Sequence, residues 1–510
     1  MTKKEKVKIR KLLTGVPGLD EILGGGLPEY SFNIIGGAPG SGKTTLAHQI
    51  VFANTTPERP ALYFTILGEP AFKMLRYQQQ YNFFDLSKLN SEIHFVNLSE
   101  LASRRDLNAI LEEMKKQVDA INPGIVVVDS FRTIMWLAQT DPAIREHQAF
   151  IHRLAIHLAS WQATTFLIGE YTDEDIRNNP AFTVADGLLW LSQHVHKSSM
   201  VRQIQVMKLR GQPSLPGLHT FRITEDGLHT YPRTFDLIEN HRSKVSPHRL
   251  STGLTKLDAM MGGGLREEEC TLISGPSGSG KSLIATHFIA EGFQKNEPCL
   301  VVVFEEFPEV YVQRATAMKL DLQGAREAGL LEVIYLRPLD LSVDEAVHEI
   351  STAIKRLNAK RLVIDSISGF ELAVAPSFRS DFRESIYRMV GSLTRLGVTI
   401  VLTVEVQENF TSFGVGPYSL SILSDNVVRL RFVEIDGQLC KLMVVIKMRS
   451  SEHSQDMFQY DITSTGINIG KPYTHYFGLT SGMARPSTID CSIEPSHGAQ
   501  QDDVISRTRE

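Results

Sequence analysis

The chain has only four cysteines in 510 residues, Cys270, Cys299, Cys440 and Cys491, and no CxxC pair. They are too few and too scattered for a disulfide framework or a zinc site, so free thiols in a reducing compartment are the simplest reading. A basic surplus is also missing. Lys plus Arg number 53 against 58 Asp plus Glu, a formal charge of -5, whereas proteins that coat nucleic acid usually carry the opposite balance. Nucleic acid is therefore not an expected partner, although a net sum leaves room for local basic patches. Long hydrophobic runs are absent too. Stretches such as Ile125–Val128 and Leu300–Phe304 are strand-length, far below the roughly 20 residues of a membrane span. The basic N-terminus runs into Thr14-Gly15-Val16-Pro17 rather than an apolar segment, unlike a secretory signal. These absences lead us to expect a soluble cytoplasmic protein with no membrane partner.

The most informative feature present is internal repetition. TGVPGLDEILGGGL from Thr14 returns as TGLTKLDAMMGGGL from Thr252, an offset of 238 that persists into GGAPGSGKTT (Gly36–Thr45) and SGPSGSGKSL (Ser274–Leu283). Later landmarks drift by one to three residues: KLRG (Lys208–Gly211) answers KMRS (Lys447–Ser450), and FRITEDG (Phe221–Gly227) answers YDITSTG (Tyr460–Gly466). So long a period is a duplicated domain, not a solenoid repeat. We place the first domain at residues 10–238, a polar linker at Glu239–Arg249, the second domain at 248–472, and a polar, largely disordered tail at 473–510. The alternative for the tail is an extension docked along a neighbour.

In each half, apolar β-branched runs (SFNIIGG, ALYFTI, GIVVVDS, TTFLIGE; then TLISG, LVVVFEE, RLVIDS, TIVLTVE) alternate with helical patterns. Continuous apolar strands separated by helices predict a mainly parallel sheet buried on both faces. The expected fold is α/β, two tandem doubly wound domains.

Gly37-x4-Gly42-Lys43-Thr44 and Gly275-x4-Gly280-Lys281-Ser282 each follow a predicted strand and open a helix, the context a P-loop requires. Glycines let backbone N–H groups converge on phosphate oxygens at a helix N-terminus, and the lysine bridges the terminal phosphates. The expected cofactor is ATP, held by Gly37, Gly40, Gly42, Lys43, Thr44 and Thr45, and by Gly275, Gly278, Gly280, Lys281, Ser282 and Leu283. Mg2+ would be bound through the Thr44 and Ser282 hydroxyls. Asp129 after Ile125–Val128, and Asp365 after Arg361–Ile364, fit the strand-end aspartate that completes such a metal site. An Asp-Ser there could instead cap the next helix.

The halves then diverge. The strand after the second P-loop helix ends in Phe304-Glu305-Glu306, whereas the first half has Ile66-Leu67-Gly68, then Glu69-Pro70. A strand-end carboxylate can orient and polarise water, or a hydroxyl, toward the terminal phosphate; Leu67 and Gly68 cannot. Glu305 and Glu306 are therefore the catalytic candidates, against the alternative of solvated strand-end charges. The first half is expected to turn ATP over slowly. Glu170 and Glu405 end the following strands, where they could sense phosphate or lie at the surface. Glu170 is the candidate to replace in part what Leu67 lacks.

Together these residues resemble the KaiC family, the RecA-like double ATPases best known from the cyanobacterial circadian clock. The resemblance covers about Arg10 to Pro472. It rests on the GLD…GGGL leader, the paired P-loops, the Glu-Glu pair, and the KxR strand followed by ITxxG. It implies two tandem RecA-like P-loop NTPase domains, a homo-oligomer in the form of a hexameric double ring, and partners such as KaiB-like or other signalling proteins. It also implies that Lys208 and Arg210, and Lys447 and Arg449, reach a neighbour's nucleotide, with Arg145 and Arg383 as further arginines near phosphate. The family's clock member autophosphorylates an adjacent Ser and Thr in its second domain. Here the matching positions are Ser421 and Ile422, so a two-site cycle is not expected. Single phosphorylation at Ser421, or at Ser419 or Ser424, stays open beside a serine-rich loop that accepts nothing. The competing readings are a nucleotide-gated scaffold and a RecA- or DnaB-like nucleic-acid-dependent ATPase.

Overall fold

A computed structural model of the chain describes residues 9–486 except 67–70, 105, 132, 134–152, 155, 159, 172–179, 197–198, 234–245, 337–340, 407–423, 436, 450, 475 and 480–484. Leu67, Gly68, Arg145, Ser419 and Ser421 therefore lie outside the described residues.

Two nine-stranded sheets form the frame. The first contains β1 (Phe32–Gly37), β2 (Ala61–Thr65), β3 (Ile93–Asn97), β4 (Ile125–Asp129), β5 (Thr164–Gly169), β6 (Gly187–His196), β7 (Ser199–Leu209), β8 (Leu218–Thr224) and β9 (Gly227–Tyr231). The second contains β10 (Cys270–Gly275), β11 (Cys299–Val303), β12 (Leu331–Tyr335), β13 (Arg361–Asp365), β14 (Thr399–Glu405), β15 (Asn426–Ile435), β16 (Gln438–Met448), β17 (Phe458–Thr463) and β18 (Gly466–Pro472). Their orders, 3-2-4-5-1-6-7-8-9 and 12-11-13-14-10-15-16-17-18, are the same order nine strands apart. In each sheet the first six strands run parallel and the last three antiparallel. The fold is α/β in two tandem domains with mainly parallel sheets, as the repeat and the apolar strands predict, and RecA-like, as the resemblance implies.

Alternation along the strands explains the layering. Leu62 and Phe64 enter one core, and Ala61 and Tyr63 the other, on the opposite face of the same sheet. Leu300 and Val302 part from Cys299, Val301 and Val303 in the same way. Side chains that point alternately up and down must find an apolar layer on each side. Helix α1 (Lys43–Asn54) supplies one layer of the first domain with Leu46, Ala47, Ile50 and Val51. Helix α2 (Lys281–Gln294) repeats this in the second domain with Ile284, Ala285, Phe288 and Ile289.

The domains meet where helix α3 (Val343–Leu357) rests on the β8–β9 hairpin. Its apolar stripe, Val343, Ala346, Val347, Ile350 and Ile354, enters the second domain's core. Its first turn instead faces the first domain. Ser342 caps the helix by accepting from Glu345 N at 3.0 Å, and its hydroxyl also meets Thr220 Oγ1 at 2.8 Å. Glu345 accepts from Arg222 at 3.0–3.2 Å, and the rings of His229 and Tyr231 pack on His348.

Folded contacts continue past residue 472, where we expected the tail to begin. Leu479 is buried with Val433, Ile435 and Leu442, Tyr473 N donates to Met457 O, and Tyr476–Phe477 pairs with Arg485–Pro486. The polar composition beyond Pro486 hid these few apolar anchors. Among the described residues no helix is long and apolar enough to cross a membrane.

Candidate functional site

Each P-loop joins the end of the central strand to the start of the helix that covers it, β1 to α1 and β10 to α2. Gly40, Gly42, Gly278 and Gly280 adopt positive φ, between 71° and 99°. Glycine does this at no steric cost, which is why the loop can fold back over the helix N-terminus. A Cβ at Gly40 or Gly278 would meet nothing within 4 Å, so both loops open onto free space at their tips. Gly42 and Gly280 instead back onto Ile223 and Ile462 of the hairpins behind them. Lys43 donates to Ala38 O at 2.8 Å and Lys281 to Pro276 O at 2.7 Å, so each lysine curls over its own loop. Burial lowers the pKa of both ammonium groups, opposed at Lys43 by Glu170 and Asp129 and at Lys281 by Glu405, Asp365 and Glu305. A half-buried cation facing a loop of converging N–H groups is an anion site.

In the second domain the candidates converge. Gly278, Gly280, Lys281, Ser282, Leu283, Glu305, Glu306, Asp365 and Glu405 line one cavity of about 530 Å³, within the range of small-molecule sites. The two adjacent glutamates differ. Glu306 forms an ion pair with Arg314 at 2.7 Å, and burial raises its pKa although Arg314 opposes this. Glu305 Oε1 accepts from Ser366 Oγ at 3.0 Å. Glu305 is therefore the glutamate tied to the residue after Asp365, and the one of the pair that acts electrostatically on Lys281.

In the first domain Gly37, Gly40, Gly42, Lys43, Thr44 and Thr45 repeat the cradle. Thr44 Oγ1 donates to Asp129 Oδ2 at 2.9 Å, the contact expected of a hydroxyl and a carboxylate that share a metal. Burial raises the Asp129 pKa, opposed by hydrogen bonds from Thr44 and Tyr63. Glu170, the residue after β5, is close enough to act electrostatically on both Lys43 and Asp129. Among the described residues no group of three or more His, Cys, Asp or Glu could hold a metal by itself. One carboxylate and one hydroxyl per site suit Mg2+, which takes few protein ligands and leans on substrate phosphates.

Lys208, Arg210, Lys447 and Arg449 are not brought to their own cradles. Lys208 lies opposite Leu188, and Leu188 opposite Ile34, three residues before Gly37. That places it two strands over and roughly 10 Å back along the sheet. Lys447 repeats this through Val427 and Leu272. Lys208 and Arg210 both donate to Thr183 O, Lys447 donates to Ser424 O, and Arg449 pairs with Asp425. Arg383 is exposed on its helix.

Four functional neighbours went unnoticed in the sequence: Tyr63, which donates to Asp129 Oδ2 at 3.0 Å; Thr403, which donates to Asp365 Oδ1 at 2.5 Å; Ser366; and Arg314. A signal for two of them existed. Tyr63 and Thr403 are hydroxyls inside otherwise apolar strands, and a buried hydroxyl needs a partner.

A family model for the KaiC ATPases matches residues 12–234 and again residues 250–474. The chain belongs to the KaiC family. It is 27% identical over 505 residues to a circadian clock oscillator protein KaiC of Parathermosynechococcus lividus, covering 96% of this chain and 91% of the relative. It is 26% identical to the protein of that name from Picosynechococcus sp., covering 96% and 95%. It is 25% identical to circadian clock oscillator protein KaiC 1 of Synechocystis sp., covering 96% and 94%. Both domains are KaiC domains, each with the family's nucleotide-binding loop, and the similarity to the relatives spans the entire two-domain body.

Proposed function

We propose that the chain binds ATP with magnesium in both KaiC domains and hydrolyses it mainly in the second. The observation that carries this reading is the single cavity onto which Lys281, Asp365, Glu305 and Glu405 converge. Lys281 would hold the terminal phosphates, and Ser282 and Asp365 the magnesium. Bound there, the metal would neutralise charge on the phosphates. Glu305 is the general base for the attacking water, kept in place by Ser366, while Glu306 is occupied by Arg314. In the first domain Thr44 and Asp129 would hold the metal, and Glu170 is the further described carboxylate that acts on Lys43.

Because Lys208, Arg210, Lys447 and Arg449 lie away from their own cradles, they act on a nucleotide held by a neighbouring copy. This supports a homo-oligomer with ATP at subunit interfaces, a hexameric double ring as in the family. Nucleotide state would then be transmitted through ring contacts to signalling partners, KaiB-like proteins among them. Hydrolysis is the reading we favour over autophosphorylation, since Ile422, which has no hydroxyl, stands where the family's clock member has its threonine.

The test is phosphate release by the purified chain with Mg-ATP, alongside intact mass and peptide mapping. Release that is lost in Glu305→Gln, with unchanged mass, is expected. A single phosphoryl group on the Ser419–Ser424 loop would turn the reading toward an autokinase. Tight ATP binding without release would leave a nucleotide-gated scaffold.

A further inference from the structure

The two domains share one plan but orient their strand-end aspartates from opposite sides. In the second, Thr403 on β14 donates to Asp365 Oδ1. At the matching place on β5 the first domain has Ile168, directly opposite Asp129 in the register, and an isoleucine donates nothing. The hydroxyl arrives instead from β2 on the other flank. Tyr63 pairs with Val127, two residues before Asp129, so its ring projects on the same face as the carboxylate. The second domain has Val301 in that register, opposite Val363. The donor sits on β2 in the first domain and on β14 in the second.

Tyr63 has no freedom to do otherwise. It is fully buried, with its ring 4.8 Å from that of His48 and 5.1 Å from that of Phe95. Its O–H meets Asp129 Oδ2 at 3.0 Å, the same oxygen that accepts from Thr44 at 2.9 Å. Two O–H donors on one oxygen fix the plane of the carboxylate. Oδ1, which accepts neither of them, would then be the oxygen left for the metal's shell. Groups that orient a metal's carboxylate in this way typically change metal affinity when removed.

We infer that Tyr63 is a positioning residue for magnesium at the first nucleotide site, the counterpart of Thr403 at the second. This rests on the reading of Asp129 as the residue that serves the metal.

The experiment uses the full chain with the second site silenced by Lys281→Ala. Binding of a fluorescent ATP analogue is followed as Mg2+ is titrated. Tyr63→Phe keeps the ring packing and removes only the hydroxyl; it is expected to raise the half-saturating Mg2+ about three- to tenfold. The shift should vanish when Asp129 is already Asn, since the hydroxyl then has no carboxylate to orient. Adding Ile168→Thr to Tyr63→Phe, which restores a donor from β5, should recover most of the wild-type Mg2+ dependence. Unchanged half-saturation in Tyr63→Phe overturns the inference. So does an equal shift in the Asp129→Asn background. A Tyr63→Phe chain that fails to fold, with no rescue by Ile168→Thr, would make the hydroxyl a core contact and overturns it as well. If the parent Lys281→Ala chain shows no Mg2+-dependent binding at all, the reading of the first site itself fails.

Discussion

The first and second domains place the same strands in the same order and the same lysine over the same loop, yet their carboxylates differ. The second site gathers Glu305, Glu306, Asp365 and Glu405 around one cavity. In the first, the described carboxylates near the lysine are Asp129 and Glu170. Since a P-loop binds phosphate with backbone N–H groups and a cation, it survives duplication without the groups that activate water. Binding and hydrolysis are separable properties of this fold, and on the function proposed above the two domains separate them.

The largest expected effect tests that separation directly. Lys281→Ala should lower phosphate release at least 100-fold, whereas Lys43→Ala should leave most of it and chiefly weaken ATP binding and assembly. Phosphate release measured on each variant decides this; equal losses would erase the functional difference between the sites. A more local version compares the adjacent glutamates. Glu305→Gln should lower turnover roughly 100-fold with ATP binding intact, in the range of a lost general base. Glu306→Gln should cost distinctly less, because that carboxylate is already paired with Arg314. If Glu306→Gln proved the more damaging, the two assignments would exchange.

A stability comparison comes next. Position 344, in the first turn of α3, is Asp in the second domain; the same turn of the first domain's helix Leu107–Ile121 has Asn108 there. Asn108 is exposed, whereas Asp344 is covered at the domain junction. Burial pushes the Asp344 pKa up to about 6, opposed by Arg388 at 3.7 Å and by Arg233. The folded pKa is raised above the unfolded one, so below about pH 4 both states are neutral and nothing is lost. As pH rises toward 6 the unfolded chain ionises first and stability falls, by an amount on the order of 3 kcal/mol once the folded carboxyl has titrated. Asp344→Asn should therefore stabilise the chain at pH 7.5, with the gain shrinking toward pH 4.5. Denaturant unfolding at both pH values measures it, and a loss at pH 7.5 would mean that the Arg388 pair outweighs the burial.

Much of this architecture could be read before the coordinates because its signals are local. Three or four apolar residues ending in Asp-Ser specify a buried parallel strand and its exit, and GxxxxGK[ST] specifies a loop. The offset of 238, drifting by one to three residues beyond the P-loops, then carries the P-loop and strand-end aspartate assignments from one half to the other. Tyr63 and Thr403 escaped notice for the opposite reason: each acts across a strand boundary on an aspartate 66 or 38 residues away, and no spacing rule links them. The same holds for Arg314, which is eight residues from Glu306, nearly two turns into the helix Pro308–Ala317, and looks like any surface arginine. The anchors past residue 472 were masked by the polar residues around them.

The smallest expected effect concerns the hairpins behind the two cradles. Each backs its P-loop with an isoleucine, Ile223 against Gly42 and Ile462 against Gly280. The residue just before differs: Arg222 in the first domain, Asp461 in the second. Arg222 reaches Glu345 with two nitrogens, so the first hairpin touches its own P-loop on one side and the second domain on the other. Asp461 could not make this pair and is exposed. Arg222 is itself partly exposed, and a pair so placed is worth about 1 kcal/mol. Arg222→Ala should thus shift the unfolding midpoint only slightly. Its clearer consequence is at a distance: with the strap released, nucleotide binding in the first domain should no longer alter hydrogen exchange in α3. The Asp461→Ala chain supplies the control, since that hairpin carries no such pair. Exchange in α3 that responds to first-site nucleotide equally in wild type, Arg222→Ala and Asp461→Ala would show that the domains communicate by another route, and that the difference between their hairpins is one of packing alone.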